Sequence, residues 1–302
     1  MTSLRRPASR PRSPLAGEAR WALLFLAPTL IGLTVLSAGP IIATLGISLT
    51  KWDLLTAPSF VGLNNYTALL GDDRFLKALR NTFFYTATSV PIGLTIALGL
   101  ALALNQRIRG IAWIRTAYFL PVVTSTIAIA LVWQWIYSPD QGLLNQAIGL
   151  FGIPSQNWLN DPTLAMPAIV GMSVWQGLGV NVIIFLAGLQ AIPEELLDAA
   201  SVDGAGRWSR FRGVVLPLLT PSIFFTGVLA LIDSFQVFDQ IFVLERPRAT
   251  DATITVVYFI YENGFKFFKM GYASAASWIP FLIVAAFTAI YFWSQKRWVH
   301  YQ

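Results

Sequence analysis

The sequence contains no cysteine and a single histidine, His300, third from its end. It therefore lacks the material for a disulfide framework, a Cys or His metal cluster, or a Ser-His-Asp triad. Charge is also scarce, at 12% of 302 residues, against about 25% in ordinary soluble domains. No GxxxxGK[ST] phosphate loop occurs, so any nucleotide-driven work must be powered by another chain. Apolar residues are abundant: 55% are hydrophobic and the mean hydropathy is +0.60. Soluble cores could not hide that much apolar surface, so the composition argues against a soluble enzyme and fits an all-α bundle in lipid better, where every backbone polar group must be satisfied internally.

A spanning helix needs about 20 apolar residues, because the hydrocarbon is roughly 30 Å thick and a helix rises about 1.5 Å per residue. Long intervals free of ionisable residues run from Arg20 to Lys51, Arg80 to Arg107, Arg115 to Asp140, Asp161 to Glu194 and Lys269 to Lys296. A sixth runs from Arg212 and stays apolar to Leu244, interrupted only by Asp233 and Asp239. These predict six transmembrane helices, over about 22–49, 82–104, 116–137, 164–190, 220–244 and 271–294. The interval from Asp140 to Asp161 carries Gly142, Gly149, Gly152 and Pro154 and reads as a loop with a short amphipathic helix. With both termini inside, 13 of the 21 Lys and Arg fall on the cytoplasmic side and 8 outside; a seventh span would reverse the bias.

The net charge of +6 is thus a topology signal, not a nucleic-acid patch. Residues 1–20 form a basic tail and 296–302 a second short one. The first apolar run is longer than the 7–15 residues usual in a signal peptide and is expected to be retained. Trp52, Trp133, Trp135, Tyr137 and Trp293 lie near span ends, as an interfacial belt requires. Gly93, Ala97 and Ala101, four apart, would let a neighbouring helix approach closely.

The longest cytoplasmic connection, 191–217, has clear local signals. Pro193 suits a first helical position, with Glu194 and Glu195 in the first turn where the helix dipole favours anions. Asp203-Gly204 then breaks the helix. A second short helix is basic through Arg207, Arg210 and Arg212 and apolar through Trp208, Phe211 and Val215. Such a hairpin could lie on lipid headgroups. The small Ala199-Ala200 surface, however, buries little area there and suits insertion into a protein cleft.

At this point the chain resembles the permease subunits of binding-protein-dependent ABC importers. Their signature is EAA, three residues, Gly, nine residues, then Ile, one residue and Leu-Pro. Here it reads Asp198-Ala199-Ala200, Gly204, Val214 and Leu216-Pro217 with the spacing intact, Asp198 and Val214 being conservative departures. Phe60-Val61-Gly62-Leu63-Asn64-Asn65-Tyr66, Asn81-Thr82, Phe185-Leu186-Ala187-Gly188-Leu189-Gln190 and Gly271-Tyr272-Ala273-Ser274-Ala275 are similar to the sugar-importer branch, in particular to the maltose-permease-type first subunit of a two-permease pair. A Gly-Gly-Pro stretch common after span five is replaced by Arg246-Pro247-Arg248. The resemblance covers essentially residues 20–295. It implies the type I importer fold in a bacterial inner membrane, a second permease of similar fold, an extracytoplasmic solute-binding protein, and an ATPase dimer that holds the ATP and Mg, with no cofactor in this chain. It further implies that Asp198, Ala199, Ala200, Asp203, Gly204, Leu216 and Pro217 form the coupling element seated in a groove of the ATPase.

For the solute path, Ser173, Gln176, Gly177 and Asn181 share one helical face of span four. Span five contributes Asp233, Ser234, Gln236 and Asp239. A carboxylate near mid-membrane costs several kcal/mol unless paired or hydrated, which makes Asp233, about 13 residues into its span, a functional candidate. A sugar needs fixed donors and acceptors beside an aromatic platform, and Trp175 or Phe235 would supply the ring. The alternatives are an importer of sn-glycerol-3-phosphate or another non-sugar solute within the same family, and, from a different class, a secondary transporter. The last would place ionisable groups on several spans, whereas only span five has any.

Overall fold

The computed structural model describes residues 15–106, 110–244 and 251–299. Most of the tail expected over 1–20, together with Arg107, Arg109, Arg246-Pro247-Arg248 and His300, lies outside the described residues. Helix α1 (Leu15–Leu33) begins within the stretch read as tail and runs through a π-helical turn, Thr34–Ala38, into α2 (Gly39–Ser48). A small antiparallel ribbon, β1 (Thr50–Lys51) with β2 (Ser59–Phe60), pairs Thr50 with Phe60 and Lys51 with Ser59. After α3 (Asn64–Leu70) comes α4 (Asp73–Leu104), started by Asp72, whose carboxylate accepts from the backbone N–H groups of Arg74 and Phe75. Then follow α5 (Ile111–Val123), α6 (Thr126–Ile136), α7 (Leu143–Gly149), α8 (Ala165–Gln190), α9 (Glu194–Val202), α10 (Arg207–Arg210), α11 (Leu216–Phe235), α12 (Asp239–Leu244), α13 (Val256–Tyr261) and α14 (Met270–Trp298). Among the described residues five helical stretches are long and apolar enough to cross a membrane, and six if α5 and α6 count as one.

Two of the expected spans are broken. The α5–α6 pair bends by 103° where Thr124 turns extended, three residues after Pro121 and behind the β-branched Val122 and Val123. In the fifth span α11 stops at Phe235, the Gln236 N–H bonds to the Asp233 carbonyl, and a new helix starts at Asp239. The carboxylates of Asp233 and Asp239 therefore stand on separate helices, with Asp239 in the first turn of its own. The π-helical turn in the first span and another over Phe211–Val215 both lie just ahead of prolines, Pro40 and Pro217. A proline ring removes one helical N–H and crowds the carbonyl four residues back, and a wider turn relieves that.

Lipid tails are as apolar as leucine, so close packing and interhelical hydrogen bonds must hold these helices together. Helices α4 and α8 pack along their length, with Ala97 and Ala101 fully buried between them. At Gly179 an added Cβ would meet Val122 and the Tyr118 carbonyl of α5, and at Gly188 it would meet Ser222 and Leu219 of α11. Two apolar clusters result. One gathers Phe75, Ile169, Met172, Ile241 and Phe259, and the other Ala97, Ala101, Phe185, Leu189 and Leu219 beside the α9 loop.

At the end of the bundle opposite α9, a polar clasp ties the helix starts together. The Asn65 side chain donates to the carbonyls of Ser48 (2.8 Å) and Thr50 (2.9 Å), and Gly271 lies so close to the Thr50 carbonyl that no Cβ would fit. Asn81 donates to the carbonyls of Asp251 (3.1 Å) and Ile254 (3.0 Å). Buried Thr82 accepts from the Val256 N–H at 3.0 Å, and the Tyr272 hydroxyl donates to Asp72 at 2.7 Å. Arg74 pairs with Asp251 and Glu262, and Lys266 with Glu262, so the buried Glu262 carboxylate is met by two cations. Burial alone would lower the Lys266 pKa, but its hydrogen bonds to Tyr258 and Glu262 outweigh that and hold it above its ordinary value.

Candidate functional site

Between the two apolar clusters, α4, α8 and α11 part around a cavity of about 460 Å³. Tyr85, Ser89 and Gly93 line it from α4, Ser173, Gly177 and Asn181 from α8, and Asp233, Ser234 and Gln236 from α11 and its end. An adjoining space of about 310 Å³ shares Tyr85, Ser173, Gly177, Asp233 and Gln236 and adds Thr126, Gln176, Phe238, Asp239 and Gln240. Eight of the residues expected on the solute path thus surround one connected polar region: Ser173, Gln176, Gly177, Asn181, Asp233, Ser234, Gln236 and Asp239. The carboxylates of Asp233 and Asp239 are exposed and form no ion pair among the described residues. Gln176 donates to the Thr126 hydroxyl at 2.9 Å, bridging α8 to the start of α6, and Ser234 spends its proton on the Leu231 carbonyl.

The two aromatic candidates fall elsewhere. Trp175 is rotated about 200° from Ser173 at about 100° per residue, so it leaves the polar face and packs on Trp133 at 5.6 Å, beside an apolar groove with Phe84 and Ile96. Phe235 is only 3% exposed, its ring edge-on to Phe83 at 5.4 Å. The structure instead brings in Tyr85, which lines both spaces beside Ser173 and Asp233, and Phe238 at the break between α11 and α12. The α4 face was written in the sequence as Tyr85, Ser89 and Gly93, four apart. Phe238 had no such signal, because it depends on the break.

At the other end, α9 and α10 form the expected hairpin. Pro193 is the capping residue, extended at ψ 131°, and Glu194 opens the helix. Gly204 sits at φ +77°, in the left-handed region that costs a residue with a side chain roughly 1–2 kcal/mol. Its N–H bonds to the Ser201 carbonyl (3.1 Å) and the Ala205 N–H to the Ala200 carbonyl (2.9 Å). This paired closure is a Schellman motif, with glycine at the position that requires it. The spacing from Ala200 to Gly204 is therefore set by how the helix ends. Asp198, Ala199 and Asp203 stay exposed, and an added Cβ at Gly204 would meet nothing within 4 Å in this chain. Arg210 donates to Ser201 at 2.7 Å, tying the two arms together, while Leu216 and Pro217 begin α11.

Residues 89–299 match the family described as "Binding-protein-dependent transport system inner membrane component". The chain belongs to this family. Relatives of this transport component include "Probable ABC transporter permease protein YesP" of Bacillus subtilis (strain 168), 36% identical over 99% of this chain and 96% of the relative. The "Trehalose/maltose transport system permease protein MalF" of Thermococcus litoralis is 34% identical over 91% of this chain and 93% of its own. A solved structure titled "Crystal structure of bacterial alginate ABC transporter in complex with alginate pentasaccharide-bound periplasmic protein" superposes with a TM-score of 0.84, at 23% identity, covering 95% of this chain and 98% of that one. The component is a multi-pass membrane protein with the type I ABC importer permease fold. Its clasp accounts for much of the pattern around Asn65, Asn81 and Gly271, since those residues hold the far end of the bundle together.

Proposed function

We propose that the chain is the membrane-spanning subunit of an ATP-driven importer that moves a sugar or sugar-like solute, delivered by an extracytoplasmic binding protein, into the cytoplasm by alternating access. The single observation that carries this is the polar region between two apolar clusters. It offers amide, hydroxyl and carboxylate groups from α4, α8 and α11, the mixture of donors and acceptors that neutral polyols require. The names of relatives that handle trehalose and maltose, lactose and arabinooligosaccharides support the sugar class. The exposed carboxylate of Asp233 disfavours a small anion such as glycerol phosphate.

In this reading the termini and the α9–α10 hairpin are cytoplasmic and the clasp faces outward, in a bacterial inner membrane. Ala199, Ala200 and the Gly204 turn seat in a groove of a separate ATPase, which binds the ATP and Mg and performs the hydrolysis. Asp198 pairs with a basic group there. Closure of the ATPase pair moves the hairpin, and the motion passes through the close α8–α11 contact at Gly188 and Ser222 to the helices around the cavity. A second permease of similar fold completes the pathway. The test compares uptake with ATPase stimulation by loaded binding protein in Asp233→Asn and Gln176→Ala. Reduced uptake with stimulation retained supports the path, and unchanged uptake and affinity in both variants would remove these residues from it.

A further inference from the structure

The aromatic platform sought in Trp175 and Phe235 exists elsewhere, as a ladder of rings leading away from the cavity. Tyr258, Tyr261 and Phe265, at i, i+3 and i+7, share one face of α13 and the turn that follows it, and Phe238 and Phe242, four apart, face them from α12 and its approach. Their ring centroids connect in short steps: Phe265 stacks on Tyr261 at 5.9 Å and 26°, and Tyr261 meets Phe238 at 5.2 Å and 62° and Phe242 at 5.6 Å and 88°, both edge to face. Phe265 is 63% exposed at the clasp end, and Phe238 borders the inner space beside Asp239 and Gln240. Lys266 sits over the Tyr258 ring at 5.2 Å and the Tyr261 ring at 5.6 Å while bonded to Glu262 and the Tyr258 hydroxyl, and it holds these two rings in place under the more exposed Phe265 and Phe242. An ordinary interfacial belt has no reason to run continuously into a polar cavity.

We infer that this ladder is a carbohydrate-binding track, along which a sugar passes from the extracytoplasmic mouth over the exposed Phe265 and Phe242 to Phe238 at the cavity, with the two tyrosines as their backing. A pyranose has an apolar C–H face and a rim of hydroxyls. The exposed phenylalanine rings, ending beside Asp239 and Gln240, match both. The inference rests on the importer reading and adds an entry route to it.

The test uses the complete transporter in proteoliposomes with its binding protein, measuring KM for carbon-14 maltose, trehalose and lactose, with carbon-14 histidine alongside. Phe265→Leu and Phe238→Leu keep apolar bulk but remove the ring face. Each should raise the sugar KM about fivefold, whereas Phe265→Tyr should restore it. Phe281→Leu, an exposed ring on α14 outside the ladder, should leave KM as in the wild type. Because Phe265 is largely exposed, its replacement spares the core. Sugar uptake with unchanged KM in both leucine variants overturns the track while leaving the importer reading intact. A wild-type complex that imports histidine and none of the three sugars overturns the sugar reading itself.

Discussion

Gly204 separates a role in the turn from a role at a partner surface. Its φ of +77° makes any side chain with a Cβ strained, yet a Cβ there would meet nothing within 4 Å inside this chain. Strain alone should cost Gly204→Ala roughly 1–2 kcal/mol, a factor of about 5–30 in the population of the closed turn. Gly204→Asn should escape most of that cost, because asparagine enters the left-handed region readily. If the Gly204 turn inserts into a groove of another chain, the two variants should instead behave alike, since each places atoms where that groove must close. We expect Gly204→Ala, Gly204→Asn and Gly204→Asp all to abolish ATP-driven uptake in reconstituted vesicles while membrane insertion stays normal. Wild-type uptake by Gly204→Asn would refute the reasoning, because it would leave the turn with only an internal task.

The packing makes further predictions. Thr82→Val removes the buried acceptor of the Val256 N–H and should destabilise the chain by about 1–3 kcal/mol, seen as a lower melting temperature in detergent; an unchanged melting temperature would argue that the clasp is not fixed there. Gly188→Ala places a methyl against Ser222 and Leu219 and should cost about 1–3 kcal/mol by overpacking. Adding Ser222→Ala should recover part of that loss, and equal melting of the single and double variants would show that the two sites do not touch. Within the cavity, Asp233→Asn should lower uptake more than Gln176→Ala, since Gln176 is partly engaged with Thr126, and the reverse order in initial uptake rates would count against a solute-facing Asp233.

Much of this architecture could be read from the distribution of charge. Intervals between ionisable residues located the apolar helices, because a charge in hydrocarbon is expensive whatever surrounds it. The hairpin was equally legible, since Pro193, Asp203-Gly204 and the fixed spacing to Pro217 are local signals that act within a few residues. The polar face of α8 followed from helical periodicity, which also explains why Trp175 fails: one residue before Gln176 lies on another side of the helix. What periodicity could not reveal were the breaks at Thr124 and Gln236, since the predominantly apolar run continues through both. Phe235, at the end of α11, turns inward against Phe83, whereas Phe238, beyond the second break, reaches the cavity rim. The ladder was hidden for the same reason, as its two faces come from segments that only the fold brings together.

ATP-driven delivery of a sugar through this chain is the central claim to test. The most direct measurement is accumulation of carbon-14 maltose, trehalose and lactose in vesicles holding the chain with its partner permease and ATPase, with binding protein added outside and ATP trapped within. At least one sugar should accumulate in a manner that requires both ATP and binding protein and is lost in Gly204→Asp. Accumulation driven by a proton or sodium gradient without ATP, or import restricted to non-sugar solutes, would contradict it.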